Sequence, residues 1–314
     1  MTFELTPIGV LCGGPSRERE ISIRSGRAVH QALCSLGLPA RLVLLSEDAE
    51  RIPGEIRAAR PGCAFIALHG PFGEDGAVQA LLERMKIPYT GSPVEACRYG
   101  SDKVSSRLKW LAAGLPVPRW KAADPLSAAG RAAEVGFPLM VKPVREGSSL
   151  GMSIVDSAGQ LPAAVEEAAK FGPDLLLEEY LSGPELTVGI LEERPLPVIQ
   201  IVTKRRFYDF IAKYTPGMTE YRVPALLPQE TARAAQELAL QAHEALGCRS
   251  FSRVDLILAE GRGPLLLEIN SIPGMTETSL LPKAAAAAGI QFPELCRRML
   301  ASALQRAPTV GSAR

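Results

Sequence analysis

Short apolar runs alternate with amphipathic stretches through the N-terminal part of the chain. Pro7–Cys12 (PIGVLC) and Ala40–Leu45 (ARLVLL) read as buried strands, and Cys63–Gly70 (CAFIALHG) as a third. Between the first two, Ala28, Val29, Ala32, Leu33 and Leu36 recur at helical spacing, and Gly37 follows where a helix would end. After Gly73-Glu74-Asp75, residues Val78, Leu81, Leu82 and Met85 mark one face of another helix. This alternation predicts a parallel sheet with its working loops at the carboxyl edge.

The pattern changes after residue 88. PYTGSPVEACRYGSDK is rich in turn residues and places a boundary near 92–100. A helix follows, with Val104, Leu108 and Leu111 expected on its apolar face. Residues 137–156 read as two strands joined by a tight polar loop, and residues 174–193 as strand, turn and strand. Residues 203–222 (TKRRFYDFIAKYTPGMTEYR) are polar and aromatic without a clear period, the signature of a lid. An amphipathic helix at 229–246, two acid-bearing strands and two closing helices complete the chain, and the last eight residues read as frayed. Three divisions are expected: 1–96, 97–180 and 181–314.

Composition narrows the class. The 314 residues are 46% hydrophobic and 22% charged, enough for a sizeable core. A net charge of +1 argues against a nucleic-acid or anionic-membrane partner. No apolar run suits a membrane span, and the N-terminus lacks a basic leader. The six cysteines show no metal-binding spacing, which suits a reducing cytoplasm.

Three segments carry candidate chemistry. Glu268 and Asn270 stand two apart on one strand and share a face, and Asp255 on a neighbouring strand could complete an all-oxygen cluster for Mg²⁺. Such acids can also simply face solvent, but each here sits in an apolar run. In VKPVREGSSLGMS, Lys142 precedes a loop where Gly147 and Gly151 flank Ser148 and Ser149. Small residues let backbone N–H groups approach phosphate oxygens; the same segment reads equally as an ordinary hairpin. Glu178, Glu179 and Glu185 border a linker that could meet a base and a ribose, or be plain turn acids.

Taken together and in this order, GGPSREREIS, HGPFGEDGAVQALLE, PYTGS, SDK, VKPVREGSSLGMS, EEYLSGPELTVGIL, FYDFIAKY, RVD and LEINSIPGMTETSLLPKAAAAAG resemble the D-alanine–D-alanine ligase family of ATP-grasp ligases, from about residue 8 to residue 300. The resemblance implies an α/β ATP-grasp fold behind an N-terminal parallel-sheet, Rossmann-like domain. It implies ATP held by Lys103 and Lys142, by the loop Glu146, Gly147, Ser148 and Ser149, by Glu178, Glu179 and Leu181 at the adenine, by Glu185 at the ribose and by Lys213 from the lid. Asp255, Glu268 and Asn270 would bind two Mg²⁺ ions, with Mn²⁺ able to substitute. Two D-alanine molecules would be the substrates. Glu18 would meet the ammonium of the first, with His69 nearby. Arg253 and the Gly274 N–H would face the developing oxyanion, and Ser279 and Leu280 the carboxylate of the second. Ser148, Glu18 and Tyr214 would form the set that shuts the lid, and Tyr214 favours an amine over a hydroxy acid as nucleophile. A cytoplasmic homodimer supplying peptidoglycan precursor completes the expectation.

Phe210, Ile211, Ser250, Phe251 and Ser271 depart from the family's usual residues without removing a ligand or catalytic group. Alternatives are a ligase taking D-lactate or D-serine second, a nucleotide-binding module without catalysis, and a dehydrogenase. The last would need a fuller GxGxxG than the CGGPSRER at Cys12–Arg19. On this reading the glycine turn lets backbone approach the first amino acid rather than a nucleotide.

Overall fold

The computed structural model describes residues 7–305 apart from Pro216 and Glu277. The eight C-terminal residues expected to fray lie outside this range, as does the side chain of Tyr214. Three sheets organise the described residues.

The first is parallel. Strands β1 (Ile8–Gly13), β2 (Ala40–Leu45) and β3 (Cys63–Ile66) lie in the order β2-β1-β3, connected by helices α1 (Arg19–Ser35) and α2 (Ile52–Ala59) and followed by α3 (Ala77–Arg84). Every residue of β1 is buried, because both faces are covered. Val10 packs with Val29 and Leu33 of α1 on one side, while Leu11 packs with Ile52, Ile56 and Leu82 on the other. Gly37 follows α1 with a φ of +73°, the left-handed stop that its position predicts. The third strand is shorter than its apolar run: Ala67, Leu68 and His69 leave the ladder and carry the chain to the sheet edge.

Helices α4 (Val94–Ser101) and α5 (Lys103–Ala112) lead into a second sheet. Its strands β4 (Trp120–Ala123), β5 (Leu139–Pro143), β6 (Ser153–Val155) and β7 (Leu175–Glu179) run antiparallel in the order β4-β7-β5-β6. Helices α6 (Ala128–Val135) and α7 (Leu161–Ala169) cover one face through Ala132, Val135, Ala164 and Val165. The expected apolar face of α5 is reversed. Leu108 and Leu111 are 55% and 49% exposed, while Lys103, Ser106, Arg107 and Trp110 are buried. The reason is electrostatic: a buried carboxylate lies beneath this helix, and only its basic face can pair with it.

The third sheet is antiparallel. Strands β8 (Glu185–Leu191), β10 (Ile199–Thr203), β11 (Thr219–Arg222), β12 (Phe251–Ala259) and β13 (Gly263–Asn270) run in the order β11-β10-β8-β12-β13, and the short β9 (Arg194–Pro195) pairs with β8. The strand–turn–strand at 174–193 therefore crosses between two sheets. Helix α9 (Gln229–Ala245) lays Ala235, Leu238, Ala239 and Ala242 on β8, β12 and β13. Burying Leu238 alone stabilises this contact by about 2 kcal/mol. The expected irregular lid contains more order than its sequence suggests: β11 folds back on β10, and a short helix α8 (Phe210–Tyr214), capped by Asp209 accepting from the Ala212 N–H, lies between them. Helix α10 (Leu280–Ala287) returns to pack on β8, and α11 (Phe292–Gln305) packs on α1, α10 and β3. Among the described residues no helix is long and apolar enough to cross a membrane.

Candidate active site

Two adjoining cavities lie where the three sheets meet. The larger, about 790 Å³, has Glu18, His69, Gly274 and Ser279 in its walls. The smaller, about 290 Å³, lies between the second and third sheets against Lys142, Glu179, Leu181 and Glu185. Tyr208, Lys213 and Glu268 line both.

The glycine turn after β1 is built for backbone reasons. Gly13 and Gly14 have φ of +87° and +81°, and a Cβ on Gly13 would sit 2.7 Å from the Leu45 carbonyl oxygen. The Gly13 N–H is donated to Ser22 Oγ at 2.8 Å and the Gly14 N–H to the Leu45 carbonyl at 3.1 Å. Arg19, which the sequence reading passed over, donates to the Gly14 and Leu45 carbonyls at 2.9 and 2.6 Å. These amides are thus consumed inside the turn, contrary to the expectation that the glycines bring backbone to a ligand. Their role is to aim the start of α1, where Glu18 opens the helix and accepts a hydrogen bond from Ser148 Oγ. Glu20, one position into the helix, is exposed.

Burial raises the Glu18 carboxyl above its usual range and Glu74 adds to this, against opposition from Ser148, His69 and Lys213. His69 is buried at the end of the third strand run, its Nε2 2.9 Å from Ser25 Oγ and its Nδ1 3.4 Å from Glu74 Oε1. Ser25 Oγ in turn accepts the Met275 N–H at 3.3 Å, tying this wall to the loop carrying Gly274. A Cβ on Gly274 would lie 2.7 Å from Ser279 Oγ, so the loop closes tightly on the start of α10. Ser279 stands at the N-cap of α10, its N–H donated to the Thr276 carbonyl and its Oγ accepting the Thr276 N–H at 3.1 Å. Leu280 begins the helix and is buried.

The loop from Glu146 to Gly151 overhangs both cavities. Ser148 and Ser149 both adopt left-handed backbone, with φ of +51° and +59°, a conformation that costs an L-residue about 1–2 kcal/mol. Side-chain bonds hold it there: Ser148 to Glu18, and Ser149 Oγ donating to the Tyr208 carbonyl at 2.9 Å. Lys103 Nζ donates to the Glu146 carbonyl at 2.6 Å and lies 3.9 Å from Glu268 Oε2.

Beneath the smaller cavity, Glu178 is almost fully buried and ion-paired with both Lys142 and Arg107. Burial alone would raise its carboxyl, but the two cations hold it below the usual range. The Glu179 carboxylate accepts from the Arg119 N–H and from the Arg119 and Arg262 guanidiniums. Both glutamate side chains are therefore engaged within the protein, and what the 178–181 segment offers a base is its backbone and Leu181. Glu185 accepts the Tyr208 N–H at 3.0 Å; burial raises its carboxyl despite that bond and Lys213.

Asp255 and Glu268 face each other across β12 and β13, and the register slips just after Asp255. Asp255 accepts a two-point bond from Arg253 at 2.9 and 2.7 Å, and Thr187 Oγ1 donates to it at 2.6 Å. Asn270 Nδ2 is 3.5 Å from Asp255 Oδ2. Burial would raise Glu268, but Lys103, Lys213, Arg253 and Lys142 overcome it and hold its carboxyl at about 2. Among the described residues no group of three or more His, Cys, Asp and Glu side chains could hold a metal unaided. Two carboxylates and an amide oxygen, with Glu268 kept ionised, fit a hard cation that draws its remaining ligands from phosphates and water.

Sequence reasoning missed Arg107, Thr187, Tyr208 and Glu74. Arg107 had a signal: it lies four residues after Lys103, on the same helix face, three before Trp110. The departures from family pattern are also placed. Ser250 has a φ of +70° where glycine is usual, and its buried Oγ has no hydrogen-bond partner among the described residues. Phe251 packs against Gly91, and Ser271 Oγ reaches the Glu74 carbonyl at 3.5 Å. Phe210 and Ile211 are about half exposed, 45% and 47%.

Comparison with known proteins identifies the family. The family described as D-ala D-ala ligase C-terminus matches residues 110–301, and D-ala D-ala ligase N-terminus matches residues 46–92. A D-alanine–D-alanine ligase of Desulforudis audaxviator (strain MP104C) is 46% identical over 306 residues, covering 95% of this chain and 99% of that protein. One from Anaeromyxobacter sp. (strain Fw109-5) is 46% identical over 307 residues, covering 96% and 97%. The crystal structure of the Bacillus anthracis D-alanine–D-alanine ligase complexed with ATP superposes with a TM-score of 0.84 at 31% identity, covering 96% of this chain and 97% of that one.

Proposed function

The chain belongs to the D-alanine–D-alanine ligase family, and from that premise we infer that its two cavities divide one reaction between a nucleotide and two amino acids. The protein is an enzyme that uses ATP to join two D-alanines through a D-alanyl phosphate, releasing ADP and phosphate, for peptidoglycan precursor synthesis. The observation that carries the division is the shared wall: Tyr208, Lys213 and Glu268 line both cavities, so a phosphate extending from the smaller meets a carboxylate lying in the larger.

In the first step the carboxylate of one D-alanine attacks the terminal phosphorus of ATP, and the bond to the ADP oxygen breaks. Lys103, Lys142 and Lys213 supply positive charge where the phosphoryl oxygens pass. Glu18 receives the ammonium of this first D-alanine, with His69 and Glu74 behind it. In the second step the free amine of the other D-alanine attacks the acyl carbon, and phosphate leaves with the electrons of the carbon–oxygen bond, the proton lost from the amine nitrogen balancing on the released phosphate. Arg253 and the Gly274 N–H face the oxygen that gains charge, and the α10 start at Ser279 and Leu280 receives the second carboxylate. Asp255, Glu268 and Asn270 would hold Mg²⁺, or Mn²⁺ in its place, which offsets the charge of the phosphate groups when bound. The 203–222 segment and the 146–151 loop, joined by the Ser149–Tyr208 bond, keep water from the acyl phosphate. The Tyr214 side chain, expected to complete the Ser148–Glu18 set, lies outside the described residues.

The divisions 1–96, 97–180 and 181–314 are supported by the three sheets, with β1–β3 before the first boundary and β4–β7 before the second. A cytoplasmic homodimer belongs to the same proposal. The test is phosphate release from ATP with D-alanine as the sole amino acid, with the product identified. D-alanine-dependent release and D-alanyl-D-alanine are expected. No release, or an ester formed preferentially when D-lactate competes at neutral pH, would overturn the reading.

A further inference from the structure

Arg107 is the largest buried charged side chain in the molecule's described part, at 0% exposure, and the reaction above gives it no task. Its guanidinium makes a two-point contact with Glu178 Oε2, of which the Nε bond is 2.9 Å. Its Nη1 donates to the main-chain carbonyl of Lys103 at 3.1 Å. The other Glu178 oxygen is taken by Lys142 Nζ. One guanidinium thus fixes both nucleotide lysines: the backbone from which Lys103 projects, and the carboxylate on which Lys142 rests.

Geometry explains why the hub needs a cation and a fork. Glu178 sits in β7, paired with both β4 and β5, so its backbone is rigid. Its carboxylate would be costly to bury alone. If Lys142 were its only partner, the lysine would be drawn down into that pair and away from an incoming phosphate. A second cation on the opposite oxygen satisfies Glu178 independently of Lys142. The planar guanidinium can do this while still reaching a carbonyl one helical turn away, which an ammonium on a flexible stem does less well.

We propose that Arg107 is a positioning residue for the nucleotide, releasing Lys142 from Glu178 when phosphate arrives and holding the start of α5 so that Lys103 meets the same phosphates. This rests on the assignment of Lys103 and Lys142 to ATP. Arg107 lines neither cavity; Glu178 and Lys142 line only the smaller one, and Lys103, which lines the larger, is touched by Arg107 through its main-chain carbonyl, so the effect falls on the nucleotide more than on the amino acid.

The experiment uses the full-length enzyme and four variants: Arg107→Met, Arg107→Lys, Lys142→Met and Arg107→Met combined with Lys142→Met. Arg107→Met is expected to raise KM for ATP about tenfold or more while KM for D-alanine stays within about twofold, the split that marks loss of one substrate's contacts. Arg107→Lys, which keeps a cation on Glu178, should recover most of that loss. The double variant should be little worse than Lys142→Met alone, because the two changes act through one carboxylate. Should Arg107→Met not fold, Arg107→Gln replaces it with the same expectations. Wild-type KM for ATP in the neutral variant would overturn the proposal. So would equal losses for ATP and D-alanine, full additivity with Lys142→Met, or a lysine variant as impaired as the neutral one. A Lys142→Met enzyme with unchanged ATP affinity would instead sink the assignment of the lysines.

Discussion

Removing the Ser148 hydroxyl isolates the contact between the 146–151 loop and Glu18, the pair proposed to join the phosphate site to the first-substrate site. Ser148 Oγ donates to a half-buried Glu18 carboxylate, and the serine pays for that reach with a φ of +51°. A hydrogen bond to a charged group contributes roughly 1.5–3 kcal/mol. At about 1.4 kcal/mol per factor of ten, Ser148→Ala should lower kcat/KM for D-alanine about 10- to 150-fold. Alanine keeps the left-handed strain, whereas glycine removes about 1–2 kcal/mol of it. Ser148→Gly should therefore lose no more activity than Ser148→Ala, despite having the smaller side chain. The assay is ADP release with D-alanine titrated at saturating ATP, together with a separate ATP titration. A Ser148→Ala enzyme within twofold of wild type, or one losing ATP affinity as much as D-alanine affinity, would refute the reasoning. So would a glycine variant clearly worse than the alanine one.

Chelating divalent cations should abolish turnover, and Mg²⁺ or Mn²⁺ should restore it; Asn270→Ala should need several times more metal for half-maximal rate, read by titrating the ion at fixed ATP. The Glu18 carboxyl is raised by burial and by Glu74, and a bound ammonium favours its ionised form. KM for D-alanine should therefore climb as pH falls through the raised value, and Glu18→Gln should flatten that climb. In the unliganded protein the sign is the reverse of a salt-bridged acid, since native Glu18 holds its proton more tightly than the unfolded chain and its ionisation subtracts stability as pH rises. Burial pushes the His243 imidazole, which bonds Ser252 Oγ at 2.7 Å, down to about 4 from 6.5. The unfolded chain binds that proton first, so acidification from 6.5 to 4 should cost about 3 kcal/mol. Melting temperatures across that window should show the slope, and His243→Gln should lack it.

The alternating N-terminal pattern was readable because β1 is covered on both faces and its helices carry one apolar stripe each. The acid strands were readable because Asp255, Glu268 and Asn270 interrupt apolar runs whose period fixes their face. The apolar face assigned to α5 was not, because Leu108 and Leu111 point outward so that Arg107 can reach Glu178 while Lys103 reaches the Glu146 carbonyl and Glu268. Periodicity counts apolar residues and is blind to a carboxylate arriving from β7, 71 positions later in the chain. The glycine turn misled in the opposite sense: its motif suggested ligand contact, while its amides close on Ser22 and Leu45.

By itself the sequence determined the alternation of elements, the family through its ordered motifs, and which side chains are chemically able to bind phosphate, metal and amino acid. Those follow from local period and residue type, which need no partner from elsewhere in the chain. Tertiary structure alone decided that Glu178 is a buried hub rather than a surface acid, that Arg107 serves two lysines, and that Tyr208, Lys213 and Glu268 stand between two cavities. Each depends on charges brought together from distant strands and helices, and the low-dielectric interior makes their pairing compulsory only once the fold has placed them there.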